Sequence, residues 1–210
     1  MAYDAASPEA QLGSLAESEA ARLMAHRGHL VVPIFSATQN TDNADAPLLY
    51  RPRGGFVVGP DLLVFSAAGS TWVDVKAKTG PTWRRTHRRW EHGIDRACFE
   101  DYEAVGRFSH LPVWILILEE HAPIDSFRES ELSGRSTWLT ISLSDARQTG
   151  EERRDWPGGP ASPARRGRHG LGGWLWPRNA MRPWLAGGSA PGGDGEVAAH
   201  PETCHATTPG

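Results

Sequence analysis

The chain is poor in cysteine, in long apolar runs and, towards its end, in positive charge. Only Cys98 and Cys204 occur among 210 residues, so no disulfide framework is implied and a reducing compartment suits it. The longest apolar run, 111–118, falls well short of the about 20 residues that a bilayer-spanning helix needs. The first residues carry acids rather than the basic-then-apolar pattern of a secretory signal. A soluble, cytoplasmic protein is expected. Hydrophobic residues make up 39%, which is low for a globular chain, and the deficit lies late, where Gly, Pro and Trp accumulate. From Ala186 onward there are three acids and no Lys or Arg, so the formal charge of −3 belongs to that tail and residues 1–185 are neutral. A neutral body excludes a uniformly basic protein but not a basic patch. Lys76, Lys78, Arg84, Arg85, Arg88, Arg89 and Arg96 crowd one short stretch, diluted only by Glu91 and Asp95, and a local field governs the meeting with a polyanion.

What is present reads as alternating elements. Ser7-Pro8-Glu9 is a helix start, with a capping Ser, Pro in the first turn and an acid behind it. Leu12, Ala16, Ala20, Leu23 and Met24 recur at helical spacing until Gly28. Residues 29–35 read as a strand that is either at an edge or short, because Pro33 lacks an N–H for the ladder. Residues 36–53 are polar and read as a long loop. Residues 56–58 and 61–65 are two adjoining strands or one broken strand, 67–70 a turn, and 71–78 a strand. On that last strand Val73, Val75 and Ala77 face one way, and Trp72, Asp74, Lys76 and Lys78 the other. A helix over 93–107 follows, with an apolar stripe of Ile94, Ala97, Cys98, Tyr102 and Val105. Then come a doubly buried strand over 113–118, a strand over 138–143, a short strand over 173–176 and a turn of helix over 179–185. This pattern divides the chain into a core over 8–148, a Gly/Pro/Trp-rich extension over 149–185 packed on it, and a disordered tail over 186–210.

The chemistry is carried by two strands joined through a short turn, which pair antiparallel. Asp61 follows Pro60 at the start of one, while Asp74 and Lys76 share a face of the other. Two carboxylates so placed repel unless a cation joins them. A hard ion such as Mg2+ or Mn2+ relieves that repulsion, can bind a phosphate and can lower the pKa of an attacking water. Lys76 would orient the water or balance charge as it develops at phosphorus.

Gly59 to Phe65 (GPDLLVF), a turn, then Trp72 to Lys78 (WVDVKAK) resembles the Pro-Asp…(Asp/Glu)-x-Lys signature of the PD-(D/E)xK nuclease superfamily, which includes the restriction-endonuclease-like and Holliday-junction-resolvase-like enzymes. Gly13, Glu17, Ala20, Leu23 and Gly28 fill the pattern of the helix that precedes this signature in such nucleases. The resemblance spans residues 10–119. It implies an α/β fold with a restriction-endonuclease-like α-β-β-β-α-β core, a mixed central sheet flanked by helices, followed here by the C-terminal extension. It also implies a Mg2+- or Mn2+-dependent endonuclease that hydrolyses phosphodiester bonds in nucleic acid, expected to be DNA. In that reading Asp61 and Asp74 are metal carboxylates, Lys76 is the catalytic lysine, and Glu17 reaches the metal directly or through water. The Gln that many members carry on the following helix is missing, and Tyr102 is the candidate in its place.

The basic stretch over 82–96 follows the catalytic strand. Lys78, Arg84, Arg85, Arg88, Arg89 and Arg96 are expected to track nucleic-acid phosphates, with Trp83 or Trp90 stacking on a base or covering the core. The plainer alternative is a solvated turn whose arginines offset neighbouring acids. No histidine stands at zinc-ligand spacing from a cysteine. The late tryptophans, Trp156, Trp174, Trp176 and Trp184, are expected to pack the extension onto the core. A homodimer would suit cleavage of both strands of a duplex. The rival functional reading is a catalytically inactive nucleic-acid-binding module of the same fold, and a further rival is an interaction protein that works through its Trp-rich extension.

Overall fold

The computed structural model describes residues 8–34, 48–51, 54–119, 137–153 and 172–184. In chain order the elements are α1 (Pro8–His26), β1 (Leu30–Pro33), β2 (Leu48–Tyr50), β3 (Phe56–Val58), β4 (Leu62–Ser66), β5 (Gly69–Lys78), β6 (Thr82–Arg84) and β7 (Arg89–Asp95). There follow α2 (Arg96–Ser109), β8 (Val113–Glu119), β9 (Thr137–Ser142), α3 (Leu143–Thr149), β10 (Glu151–Arg153), β11 (Gly173–Pro177), a 3-10 turn (Arg178–Ala180) and β12 (Arg182–Pro183).

Six strands form the central sheet in the order β1-β4-β5-β8-β9-β12. β5 and β8 run parallel and the other neighbours antiparallel, so the sheet is mixed. A parallel pair needs a crossover that returns the chain to the same end, and α2 supplies it between β5 and β8. The alternation of β5 sorts the two faces. Val73 and Val75, with Leu62, Val64 and Leu116, pack against Ala16, Ala20 and Met24 of α1. On the other face Trp72, Ile115, Ile117, Leu139 and Ile141 pack against Phe99, Tyr102, Ala104 and Val105 of α2. β8 is buried on both sides, as its unbroken apolar run requires. β1 is the sheet's edge, where Pro33 does no harm. Gly28 ends α1 at a φ of +83°, a left-handed conformation that a side chain disfavours.

A second sheet, ordered β10-β11-β7-β6, is antiparallel throughout. Several sequence expectations are corrected by the strand pairings. The helix expected from residue 93 begins at Arg96, because residues 91–95 belong to β7, between β6 and β11. The apolar stripe assigned to that helix included Ile94, which is instead buried as a strand residue. Gly93 fits the strand closely. A Cβ there would lie 2.5 Å from the Trp174 carbonyl oxygen, so the approach of β11 requires glycine. The turn of helix expected over 179–185 is instead the 3-10 turn followed by β12, which adds Arg182 and Pro183 to β9. The loop expected over 36–53 contains β2, which pairs with β3. The strands over 56–58 and 61–65 separate into different sheets.

The described part of the extension is woven into both sheets, through β11 and β12. Its tryptophans pack. Trp174 stacks on Phe99 with ring centroids 4.7 Å apart, and Trp176 is fully buried. Trp184 meets Trp138 edge-to-face at 5.8 Å beneath the Arg27 guanidinium. The capping Ser7, Trp156, the Gly/Pro-rich stretch over 154–171 and the tail over 186–210 lie outside the described residues.

Candidate active site

The central sheet has an interruption that gathers polar groups. β4 begins at Leu62, opposite Val73, whereas β5 continues to Lys78. Past Val73, β5 therefore loses its β4 partner, and an N–H on that side would be orphaned. Asp61, the residue just before β4, fills the gap: its Oδ2 accepts the Val75 N–H at 2.7 Å. Its own backbone is tied back, with its carbonyl accepting the Ile34 N–H at 2.8 Å. The carboxyl of Asp61 thus lies against β5 beside Asp74.

Asp74 is 0% exposed. Its Oδ1 accepts two hydrogen bonds, from Lys76 Nζ at 2.6 Å and from the Tyr102 hydroxyl at 2.5 Å. Its Oδ2 is buried with no hydrogen-bond partner. Lys76 Nζ also lies 3.8 Å from Asp61 Oδ2 and donates to the Val75 carbonyl at 3.3 Å. The ammonium lies between the two carboxylates, on Asp74 Oδ1 and near Asp61 Oδ2. Glu17 stands half-buried on α1, close enough to Asp61 for its charge to be felt there. Its carboxylate does not join Asp61 and Asp74 in a cluster with all ligand atoms within 4.8 Å; among the described residues that spacing is met by His87, Glu91 and Glu151.

The electrostatics follow from burial with too little positive charge. Burial, then the negative charges of Asp74 and Glu17, push the Asp61 carboxyl up to about 8 against the opposing pull of Lys76 and the Val75 N–H. Burial alone would lower the Lys76 pKa, but Asp74 and Asp61 outweigh it and hold the ammonium above its ordinary range. Burial also pushes the Cys98 thiol, on α2, up to about 12, so it stays neutral and inert. A carboxyl that resists ionisation beside a second carboxylate with a bare oxygen has room for more positive charge than one lysine supplies. The donor set, all hard oxygen, suits a small divalent ion such as Mg2+ or Mn2+.

The basic stretch divides. Arg84 pairs with Glu91 and Glu151, Arg89 with Glu91 at 2.7 Å, and Arg96 with Glu152 at 2.8 Å and Glu100 at 3.3 Å. All three arginines therefore sit beside acids, of the second sheet and, for Arg96, of α2 as well. Arg85 and Arg88 stand exposed on the turn between β6 and β7, and Arg88 has a φ of 50°. Lys78 lies on β5, on the site's own face. Trp83 and Trp90 meet each other edge-to-face across β6 and β7 at 5.2 Å.

No family model matches the sequence. No curated protein matches it either. Among solved structures, a Holliday junction resolvase, Hjc, from the archaeal hyperthermophile Archaeoglobus fulgidus is similar over 63% of this chain and 78% of that one, with a TM-score of 0.39 and 10% identity. So distant a likeness decides neither activity nor residue roles.

Two groupings escaped the sequence. His87, Glu91 and Glu151 come together because β11 pairs with both β7 and β10 and so brings them into one sheet. Their spacing could hold a metal ion, but Arg84 and Arg89 already balance the two carboxylates, which makes this an ion-pair network. The other links the two sheets. Glu119, at the end of β8 and 0% exposed, is hydrogen-bonded to His92 of β7 and to Arg178 of the 3-10 turn, the latter through both oxygens at 2.8 and 2.6 Å. These residues lie far apart in sequence with no shared spacing. No periodicity could have flagged them.

Tyr102 was legible only as a residue on the right helix. Its hydroxyl pins Asp74 Oδ1 from the α2 side, which leaves the buried Oδ2 as the unpartnered half of the carboxylate. Tyr102→Phe keeps the ring in its core position and removes one hydrogen bond to a charged group. The loss is expected to be roughly 1.5–3 kcal/mol in urea denaturation. A variant as stable as the parent would mean that the hydroxyl does not hold Asp74.

Proposed function

We propose that this protein is a divalent-metal-dependent nuclease of the PD-(D/E)xK type that hydrolyses phosphodiester bonds, with DNA as its substrate. The observation that carries the reading is the buried, unpartnered Oδ2 of Asp74, on a carboxylate whose other oxygen is fixed by Lys76 and Tyr102, beside an Asp61 pushed up to about 8. Stability alone gives no reason to bury a bare carboxylate oxygen next to a second acid. An oxygen-ligand cation gives one.

Asp61 and Asp74 would hold Mg2+ or Mn2+, with Glu17 approaching from α1. When bound, the ion supplies Lewis-acid polarisation of the scissile phosphate and makes water a competent nucleophile. The chain's own residues do the rest. Lys76 carries a proton-rich ammonium, held charged by both carboxylates, to where negative charge accumulates on the phosphoryl oxygens. Tyr102 and the backbone of Val75 restrain the two carboxylates, so little reorganisation is needed when substrate arrives.

The test is a cleavage assay on plasmid, linear duplex and single-stranded DNA. Nicking or degradation is expected with Mg2+ or Mn2+, complete loss in EDTA, and recovery on adding metal back. Salt-dependent DNA binding that ignores Mg2+, with no cutting of any substrate, would instead establish the catalytically inactive binding module.

A further inference from the structure

Lys78 lies two residues beyond Lys76 on β5, and strand alternation puts both on the face that carries Asp74. Two residues of strand separate such side chains by roughly 7 Å, comparable with the distance between consecutive phosphates on one nucleic-acid strand. The two lysines differ in their surroundings. Lys76 is engaged by Asp74, with Asp61 close by. Lys78 has Glu119 beside it in register across the parallel ladder, the natural partner for its ammonium. Glu119 is already committed: Oε1 to His92 and Arg178 Nε, Oε2 to Arg178 Nη2. Asp95 and Asp74 act on Lys78 only through their fields.

Among the described residues, therefore, the Lys78 ammonium makes neither an ion pair nor a hydrogen bond, although the side chain is half-buried. Burial, and then the neighbouring Lys76 charge, pull its pKa below the ordinary lysine range. An ammonium removed from water without a counter-ion is costly to keep. Arg178 and His92 maintain that condition by occupying Glu119. The arrangement leaves a cation along the site's own strand with capacity for an incoming anion, whereas Arg84, Arg89 and Arg96 of the neighbouring stretch have theirs filled by acids.

We infer that Lys78 is a positioning residue that contacts a non-bridging oxygen of the phosphodiester next to the one being cleaved, setting the register of the DNA strand over Asp61, Asp74 and Lys76. This rests on the nuclease reading above and adds the group that aligns the substrate.

The experiment compares the full chain with Lys78→Gln and Lys78→Arg on a mixed-sequence DNA duplex. Binding is measured across a salt series with Ca2+ in place of Mg2+, and steady-state cleavage with Mg2+. Lys78→Gln is expected to weaken binding about tenfold and to reduce the slope of log affinity against log salt by about 1, as loss of one phosphate contact requires. KM should rise with kcat changed less than about twofold. Lys78→Arg should restore both affinity and slope, while both variants melt at the parent's temperature. If the parent cuts DNA and Lys78→Gln matches it in affinity, salt slope and KM, the assignment of Lys78 fails and the nuclease reading stands. If Lys78→Gln melts early and Lys78→Arg restores stability without restoring the salt slope, the role is structural and the inference is overturned. If the parent neither binds nor cuts DNA, both readings fail.

Discussion

Asp74→Asn is expected to reduce DNA cleavage by roughly 10^3-fold while the protein remains folded. The substitution preserves shape and leaves an Oδ1 acceptor for Tyr102 and Lys76, but removes the charge from the oxygen that has no protein partner. A structural role for Asp74 predicts the reverse, a loss of stability with activity falling only in proportion. Lys76→Met should also abolish cutting, for a different reason and with a different stability signature. It strips the buried Asp74 of its counter-ion, and breaking such a pair costs about 3 kcal/mol, so this variant should melt well below Asp74→Asn. Because the two residues act as one unit, the double variant should cut no worse than either single one. Purified proteins, a supercoiled plasmid and a urea titration measure all of this. Asp74→Asn protein that cuts at the parental rate would remove Asp74 from the mechanism.

The readable part of this site was its strand periodicity. Asp74 and Lys76 could be put on one face because side chains alternate, and Asp61 could be put beside them because a short turn forces antiparallel pairing. The paired strands have that form, with Leu62 opposite Val73 and Asp61 bonded to the next turn of β5. The helix over 8–26 and its apolar stripe were legible for the same reason, since Ala16, Ala20 and Met24 repeat at helical spacing. What could not be read depends on non-local pairing. Residues 93–95 look helical because Ile94 continues the stripe of α2, yet β11, some eighty residues away, claims them as a strand. Whether an arginine is available to a ligand is likewise a tertiary question. Arg84 and Arg89 form a basic run in the sequence, but β10 delivers Glu151 and β7 presents Glu91 to cancel them. Glu17 was selected only by the resemblance to the helix pattern of the nuclease superfamily, and its placement depends on how α1 packs on the sheet; its charge reaches Asp61 without closing a tight three-carboxylate cluster.

Glu119, His92 and Arg178 make a prediction that is independent of any activity. Arg178→Met takes from the fully buried Glu119 the guanidinium that meets both of its oxygens, and is expected to cost about 3 kcal/mol at pH 7. The lower end of the range for buried pairs applies because Arg178 is 28% exposed. The pH dependence gives the effect a signature. Burial opposes ionisation of Glu119, but the hydrogen bonds from His92 and Arg178 overcome it and lower its pKa from 4.5 to about 2. A carboxylate whose folded pKa is depressed contributes stability that is complete above the unfolded value and is lost as pH falls through the folded one. Burial lowers the folded pKa of His92 below 6.5, so its contribution too is present at high pH and erodes on acidification. Burial and like charge raise Asp61, which acts with the opposite sign but is common to parent and variant and cancels in their difference. The stability gap between parent and Arg178→Met should therefore be largest at neutral pH and shrink steadily towards pH 2, because acid protonates Glu119 in both and removes what Arg178 was holding. Urea titrations at pH 7, 4.5 and 3 measure the gap. A difference that is the same at all three values would mean that Arg178 stabilises the junction of the two sheets by packing its alkyl chain and not by holding the Glu119 charge.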